Sequence, residues 1–355
     1  MTVKIHEQFK LNGHQYSSEE LKEVAYSLIK EGADFEQEIG DFLLDWLSAD
    51  SELTIRTSGS TGIPKGIGLK KRHMVNSARV TGEYFGLEAG DRVLLCLSTR
   101  YIAGKMMLVR AMTLGLDLDF VAPSSRPLDG VNKSYKFCAM VPLQLESSIN
   151  KLNQIHTLIV GGATVSAQLL KLIANSNTKI FETYGMTETI THVAVRPLNH
   201  YDPKSNHEAF EILPDITISQ DDRKCLVINA PNISDDPVIT NDIVELISEK
   251  KFLWQGRFDN VINSGGIKLI PEQIEQKLSS LIPSRFFISA LSDIKLGQKL
   301  ILVVEGDKIE GLQEIISKAD LEKFELPKEI FYVSAFKNTT NGKIIREKSL
   351  SLIKS

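Results

Sequence analysis

Residues 57–66 read TSGSTGIPKG, four hydroxyl residues and three glycines around Lys65, directly after the β-rich run LTIR at 53–56. Glycines let backbone N–H groups approach a ligand, hydroxyls add donors and the lysine adds a mobile positive charge, so phosphate is the natural guest. The P-loop pattern G-x-x-x-x-G-K-[ST] is not met, because Lys65 lies between Pro64 and Gly66. A P-loop kinase or NTPase is therefore the weaker reading of this stretch.

Outward from the loop, β-rich runs alternate with helical patterns as far as residue 185. LTIR precedes a helix from about 71, RVLLCLS (92–98) one from about 105, KFCAMVP (136–142) the segment LQLESSINKL, TLIV (157–160) the segment SAQLLKLIAN, and KIFETYG (179–185) closes the series. Such alternation predicts a parallel sheet with helices on both faces and ligands beyond the carboxyl ends of its strands. The loops at 57–66, 161–166 and 184–189 each follow a strand, so they are expected to converge on one edge.

Two helices are expected first. SSEELKEVAYSLIKEG (17–32) has Ser17 and Glu20 at capping-box spacing and Gly32 at its end. The second, from Asp34, sets Phe35, Ile39, Phe42, Leu43, Trp46 and Leu47 on one face. Residues 190–256 carry short strands between Asp, Asn, Ser and Pro turns, the pattern of a small antiparallel sheet or barrel. After GRFDN (256–260), strands RFFISAL, KLILVVEG and EIFYVSA mix with helices expected from Pro271 and Asp320. The reading is an α/β protein. A large N-terminal domain, 1–256, holds a doubly wound, mostly parallel sheet plus a small β-rich subdomain, and a smaller, separate α+β C-terminal lid spans 257–355.

Composition narrows the function classes. A net charge of −4, with only the short basic run LKKRH at 69–73, gives no electrostatic footprint for nucleic acid. No apolar run reaches membrane-spanning length, and MTVKIHEQFKLNG lacks the apolar core of a secretory signal, so a cytoplasmic location is expected. Cys96, Cys138 and Cys225 are too widely spaced for a disulfide framework or paired zinc ligands, and read as buried thiols in a reducing compartment.

The loop at 57–66 resembles the phosphate-binding signature [ST]-S-G-[ST]-T-G-x-P-K-G of the adenylate-forming superfamily, the acyl-CoA synthetases and their relatives. The resemblance continues in order from about residue 54 to 346. LIVGGATVS (158–166) is similar to the strand and G-G-A turn of that family, and ETYGMTET (182–189) contains its word Y-G-x-T-E. TNDIVEL (240–246) resembles its [ST]-G-D segment with Asn241 in place of glycine. GRFDNVINSGGIKLIPEQIE (256–275) and PKEIFYVSAFKNTTNGKIIR (327–346) resemble its hinge and closing segments, with Lys268 for a common arginine and Lys337 for a common proline.

Carried over residue by residue, the resemblance implies ATP contacts from Thr57, Ser58, Gly59, Ser60, Thr61, Gly62 and Lys65, and from Gly161, Gly162 and Ala163. Tyr184 would stack on adenine beside Gly185, Asp242 would accept both ribose hydroxyls, and Arg257 would meet ribose or phosphate. Thr187 would contact phosphate, Glu188 would hold Mg²⁺, Lys343 would be the catalytic lysine and Asp259 the hinge, while Gly266 would border the channel for coenzyme A. The implied reaction activates a carboxylate as an acyl-adenylate and then passes it to coenzyme A, with the lid rotating between the steps. The nucleophile is already ionised, so no general base is required.

Only 56 residues precede the phosphate loop. That shortness, with YGMTETITHVAVRPLN (184–199), is similar to the short bacterial O-succinylbenzoate–CoA ligases of menaquinone biosynthesis. A substrate with two carboxylates implies a second basic contact. CLSTRYIAGKMMLVRAM (96–112) occupies the place of the family's acyl-pocket segment, so Arg100 and Lys105 are candidates, with Tyr101 standing where relatives have histidine, and His192, just past the Mg²⁺ loop, is a third. The expected partners are a small carboxylic acid, ATP and coenzyme A, without nucleic acid or membrane insertion, and a shortened first domain leaves room for a homodimer. Another aryl- or acyl-CoA synthetase, or an enzyme that adenylates for a carrier protein, is the alternative. A non-catalytic relative would be expected to have lost Lys343 or Glu188, and both are present.

Overall fold

The periodic stretches between 92 and 185 fold as parallel strands. The structure, a computed structural model, describes residues 3–57, 65–202, 206–338 and 344–353. The chain divides into two units: Met1–Val165 with Leu172–Thr217 and Ile228–Val238, and Ser166–Lys171 with Ile218–Val227 and Ile239–Ser355.

In the first unit β1 (Lys10–Leu11) and β2 (His14–Gln15) form a hairpin at one sheet edge. Its turn residues Asn12 and Gly13 have φ of 50° and 80°, the pair of positive values that a tight type I′ turn demands. Then come helices α1 (Ser18–Glu31) and α2 (Asp34–Leu47). The α1 capping box forms as expected: the Glu20 N–H donates to Ser17 Oγ at 3.3 Å and the Ser17 N–H to Glu20 Oε2 at 2.8 Å. Gly32 ends α1 at φ −79°, without a left-handed cap; a Cβ there would sit 2.5 Å from the Leu28 carbonyl oxygen, so close approach explains the glycine.

β3 (Glu52–Thr57) pairs antiparallel with β4 (Lys65–Lys70), from Glu52↔Lys70 to Thr57↔Lys65, in a separate two-stranded sheet. The expected place of LTIR in the parallel sheet is thus corrected. Leu53, Ile55 and Leu69 are buried, an alternation that a hairpin satisfies as well as a parallel strand does.

After α3 (Lys71–Phe85), the main sheet is built from β5 (Arg92–Leu95), α4 (Ile102–Leu114), β6 (Asp117–Phe120), β7 (Tyr135–Met140), α5 (Pro142–Ser148), β8 (Ile155–Val160), α6 (Ala167–Ile173) and β9 (Lys179–Gly185). β10 (His192–Pro197) and β11 (Phe210–Ile212) follow. The strand order is β11-β10-β9-β8-β7-β5-β6-β1-β2. Every pairing from β9 to β1 is parallel, whereas β2, β10 and β11 are antiparallel margins. β10 and β11, expected in a small separate sheet or barrel, therefore continue the large sheet.

β12 (Thr217–Gln220), β13 (Cys225–Asn229), β14 (Val238–Ser248) and β15 (Lys251–Arg257) lie side by side in that order. The second unit continues with β16 (Ile262–Ser264), β17 (Ile267–Leu269), α7 (Pro271–Leu278), β18 (Phe286–Asp293), β19 (Gly297–Glu305), α8 (Leu312–Ser317), β20 (Glu329–Val333) and α9 (Arg346–Leu350). β19 is covered on both faces: Leu300, Leu302 and Val304 join one core cluster with Ile274, Leu278 and Ile316, while Ile301 and Val303 join another with Phe287, Val333 and Phe336. Two buried faces explain the unbroken run LILVV. The helix expected from Asp320 is absent. The Glu322 N–H donates to Glu325 Oε2 at 2.8 Å and closes a turn there, Lys277 Nζ holds the same carboxylate at 2.7 Å, and Pro327 follows at once. No helix of the described residues is long and apolar enough to cross a membrane.

Candidate active site

Thr57 and Lys65 are paired at the open end of the β3–β4 hairpin, which brackets the phosphate loop. Ser58, Gly59, Ser60, Thr61 and Gly62 lie outside the described residues, as does Lys343.

β8 and β9 are parallel neighbours with Val160 opposite Glu182, so Gly161–Ala163 and Tyr184–Glu188 leave the same end of the sheet. Two glycines are fixed by close approach: a Cβ on Gly161 would lie 2.5 Å from Thr183 Oγ1, and one on Gly185 would lie 2.3 Å from the Thr191 carbonyl oxygen. The half-buried Tyr184 ring is 5.8 Å from that of Phe210. Thr187 and Glu188 sit in a 3-10 turn, Thr187–Thr189, whose Thr189 hydroxyl oxygen accepts the Met186 N–H at 3.0 Å. The next residue, buried Ile190, has φ 66° and ψ −53°, and the Thr191 N–H donates across it to the Thr189 carbonyl at 2.7 Å. This is a γ-turn with positive φ on a β-branched residue, a strain of about 1–3 kcal/mol held in place by packing. Its effect is to direct Thr191 and His192 inward.

What they meet is Arg110. This side chain sits in the middle of α4, is 2% exposed, and donates from Nη2 to Thr191 Oγ1 at 2.9 Å and from Nη1 to Met107 Sδ at 3.6 Å. Among the described residues its buried Nε–H has no partner and no carboxylate pairs with it. Burial pulls the guanidinium down to about 9, so it stays cationic at neutral pH. His192 is buried beside it, with Nδ1 3.1 Å from Thr191 Oγ1 and Nε2 3.4 Å from Thr81 Oγ1. Burial first, and the Arg110 charge second, push this imidazole well below its ordinary range, so it is neutral.

The other acyl-pocket candidates are occupied differently. Arg100 is exposed, with Nε 2.6 Å from Glu38 Oε1 of α2. Lys105 Nζ lies 4.7 Å above the Phe42 ring, lowered by burial against the opposing pull of Asp45, Glu38 and Asp41. Tyr101 is the N-cap residue of α4. Of the four, only His192 shares a partner with Arg110. Sequence reasoning passed over Arg110, although one arginine inside the apolar helix IAGKMMLVRAM was a signal.

In the second unit, Asp242 on β14 lies opposite Arg257 on β15. Asp242 is buried; its Oδ1 accepts Trp254 Nε1–H at 3.1 Å and is 3.7 Å from Arg257 Nη1. Arg257 Nη2 donates to Asp259 Oδ2 at 3.1 Å. Asn241, the departure from glycine, donates its amide to both Asp259 oxygens and accepts from Arg223 Nη1 at 2.8 Å. Gly266 follows Gly265 in the β16–β17 turn at φ 83° and 61°; a Cβ on Gly266 meets nothing within 4 Å, so its surface is open.

No group of three or more His, Cys, Asp or Glu among the described residues could hold a metal ion. Mg²⁺ needs less, one or two carboxylates completed by water and phosphate oxygens. Glu188 is exposed and has no ion pair among the described residues, which fits that demand.

The family model for AMP-binding enzymes matches residues 15–218. The 2-succinylbenzoate–CoA ligases of Enterococcus faecalis and Bacillus cytotoxicus are 23% and 22% identical to this chain, over 83% and 86% of it and 68% and 71% of theirs. Among solved structures, an acyl-CoA synthetase (AMP-forming)/AMP-acid ligase II-like protein from Dyadobacter fermentans is 36% identical, with a TM-score of 0.62 over 93% of this chain and 97% of that one. The O-succinylbenzoate coenzyme A synthetase of Bacillus subtilis, in complex with the acyl-adenylate intermediate OSB-AMP, has a TM-score of 0.74 at 19% identity, over 92% of this chain and 80% of that one, and shares the fold.

Proposed function

The chain belongs to the AMP-binding enzyme family, and we propose that it is an AMP-forming acid–thiol ligase that activates O-succinylbenzoate and transfers it to coenzyme A. Arg110 carries this reading. A guanidinium buried without a counter-ion is costly, and an anion that reaches it offsets the cost. An acid with two carboxylates supplies one to be activated and one for Arg110, whereas a fatty acid or benzoate leaves the arginine unpaired. The names of the similar ligases support the same acid.

In this reading the first carboxylate attacks the α-phosphorus of ATP and pyrophosphate leaves. Negative charge grows at phosphorus between two anions, so positive charge must be in place beforehand. Lys343 and the donors of residues 57–66 supply it, and Thr187 adds a hydroxyl. Held by Glu188, Mg²⁺ would neutralise charge on the phosphates. Asp242 accepts the ribose hydroxyls, Arg257 meets ribose or phosphate, and Tyr184 stacks on adenine against Gly161–Ala163. In the second step the thiolate of coenzyme A displaces AMP along the open surface of Gly266, and residues 257–355 act as a lid that turns about Asp259 between the steps. The buried free thiols Cys96, Cys138 and Cys225 are in keeping with the cytoplasm.

Pyrophosphate release across a panel of carboxylic acids, with and without coenzyme A, tests the proposal. O-succinylbenzoate is expected to turn over fastest, with thioester and AMP formed only when coenzyme A is present. Faster turnover of a benzoate or a fatty acid, or acyl transfer to a phosphopantetheinyl carrier protein but not to coenzyme A, would overturn it.

A further inference from the structure

We infer that Thr191 and His192 are positioning residues that orient the Arg110 guanidinium toward the second carboxylate of the acid. The inference rests on the dicarboxylate reading above. It is carried by the direction of one buried hydrogen-bond chain that joins α3, the start of β10 and α4.

The chain begins at Thr81, whose hydroxyl donates to the Ser77 carbonyl one helical turn back, at 3.0 Å. With its hydrogen used there, Thr81 Oγ1 can only accept, so the His192 nitrogen 3.4 Å away, Nε2, carries the ring proton. Nδ1 is then an acceptor, and the group it faces at 3.1 Å is the Thr191 hydroxyl, which must donate to it. Thr191 Oγ1 in turn has only lone pairs left for Arg110 Nη2 at 2.9 Å. Every link thus has one polarity, and a neutral His192 with its proton on Nε2 is the form that sets it. The Nε–H of the guanidinium, without a partner among the described residues, is left for a ligand.

The chain depends on backbone geometry as well. Ile190 holds its positive-φ turn immediately before Thr191, and the β9–β10 register shifts between His192 and Ala194. Both irregularities fall where the two side chains must turn toward α4. Strain of this kind persists where the surroundings over-determine it, which they do here through buried Ile190. A protonated His192 would place a donor at Nδ1 against the oxygen that Arg110 uses. Arg110 is the charged group that acts on this ring.

The test is steady-state kinetics of the full chain, with the Michaelis constants for O-succinylbenzoate and for ATP measured separately. Thr191→Val, which keeps shape and removes the hydroxyl, is expected to raise KM for the acid about tenfold, the scale of one charge-assisted hydrogen bond, and to leave KM for ATP within about twofold. Thr191→Ser is expected to restore it. His192→Asn puts an amide oxygen near the place of Nδ1 and is expected to stay close to wild type, whereas His192→Leu is expected to behave like Thr191→Val. Equal rises in both Michaelis constants for Thr191→Val, or equal behaviour of the Asn and Leu variants, would overturn the inference. Arg110→Gln separates it from its premise. If that variant leaves KM for the acid unchanged, the dicarboxylate reading fails. If it raises that constant while Thr191→Val does not, only the positioning role fails.

Discussion

Asn241 grips Asp259: its side-chain amide lies 3.3 and 3.2 Å from the two carboxylate oxygens, while its own oxygen accepts from Arg223. The family pattern has glycine at this position, so the grip is a property of this chain. If Asp259 is the pivot, Asn241→Gly removes contacts that exposed amides make at about 0.5–1.5 kcal/mol each. Conversion of a preformed acyl-adenylate to thioester, followed by rapid quench, is expected to accelerate a few-fold, with pyrophosphate exchange unchanged. An unchanged second step would show that these contacts do not restrain the pivot.

In the proposed mechanism Lys343 acts in the first step alone. Lys343→Ala is expected to lower adenylation at least about 10²-fold, the effect of losing one preorganised donor. Thioester formation from a supplied acyl-adenylate is expected to survive, and equal loss of both half-reactions would contradict this division of labour.

In the proposed dicarboxylate reading, Arg110 trades stability for binding. Arg110→Met replaces an unpaired buried charge by an apolar chain of similar length, so the unliganded variant is expected to be more stable, by about 1–4 kcal/mol in urea unfolding. O-succinylbenzoate is expected to raise the melting temperature of the wild type and not of the variant.

Acid should destabilise the fold through His192. Its folded-state pKa is depressed, so below the unfolded value of about 6.5 the unfolded chain takes up a proton that the folded chain refuses. That contribution to stability is present above about pH 6.5 and is lost as the pH falls. His73 and His156, also lowered mainly by burial, act in the same direction. Melting temperatures from pH 8 to pH 5 are expected to fall less steeply for His192→Asn than for the wild type.

Features set by neighbouring residues were legible in the sequence. The Ser17–Glu20 capping box and the strand-and-helix alternation from 92 to 185 needed only local spacing, and the phosphate loop and Y-G-x-T-E are contiguous words. The Asn12–Gly13 hairpin was equally readable and was overlooked. The rest depended on partners distant in the chain. Alternating burial in LTIR fits a hairpin and a parallel strand alike, so only β4 decides between them. The lone arginine of the apolar helix IAGKMMLVRAM is visible in the sequence, but its burial without a counter-ion shows only once α4 is packed, and the polarity of the Thr81–His192–Thr191 chain exists only once three elements meet.

The most direct measurement compares pyrophosphate exchange driven by O-succinylbenzoate with exchange driven by the analogue whose ring carboxylate is replaced by hydrogen, in the wild type and in Arg110→Gln. The account requires the wild type to favour the dicarboxylate by about tenfold or more in kcat/KM, and the variant to lose that preference. Equal use of the two acids by the wild type, or an undiminished preference in the variant, would contradict it.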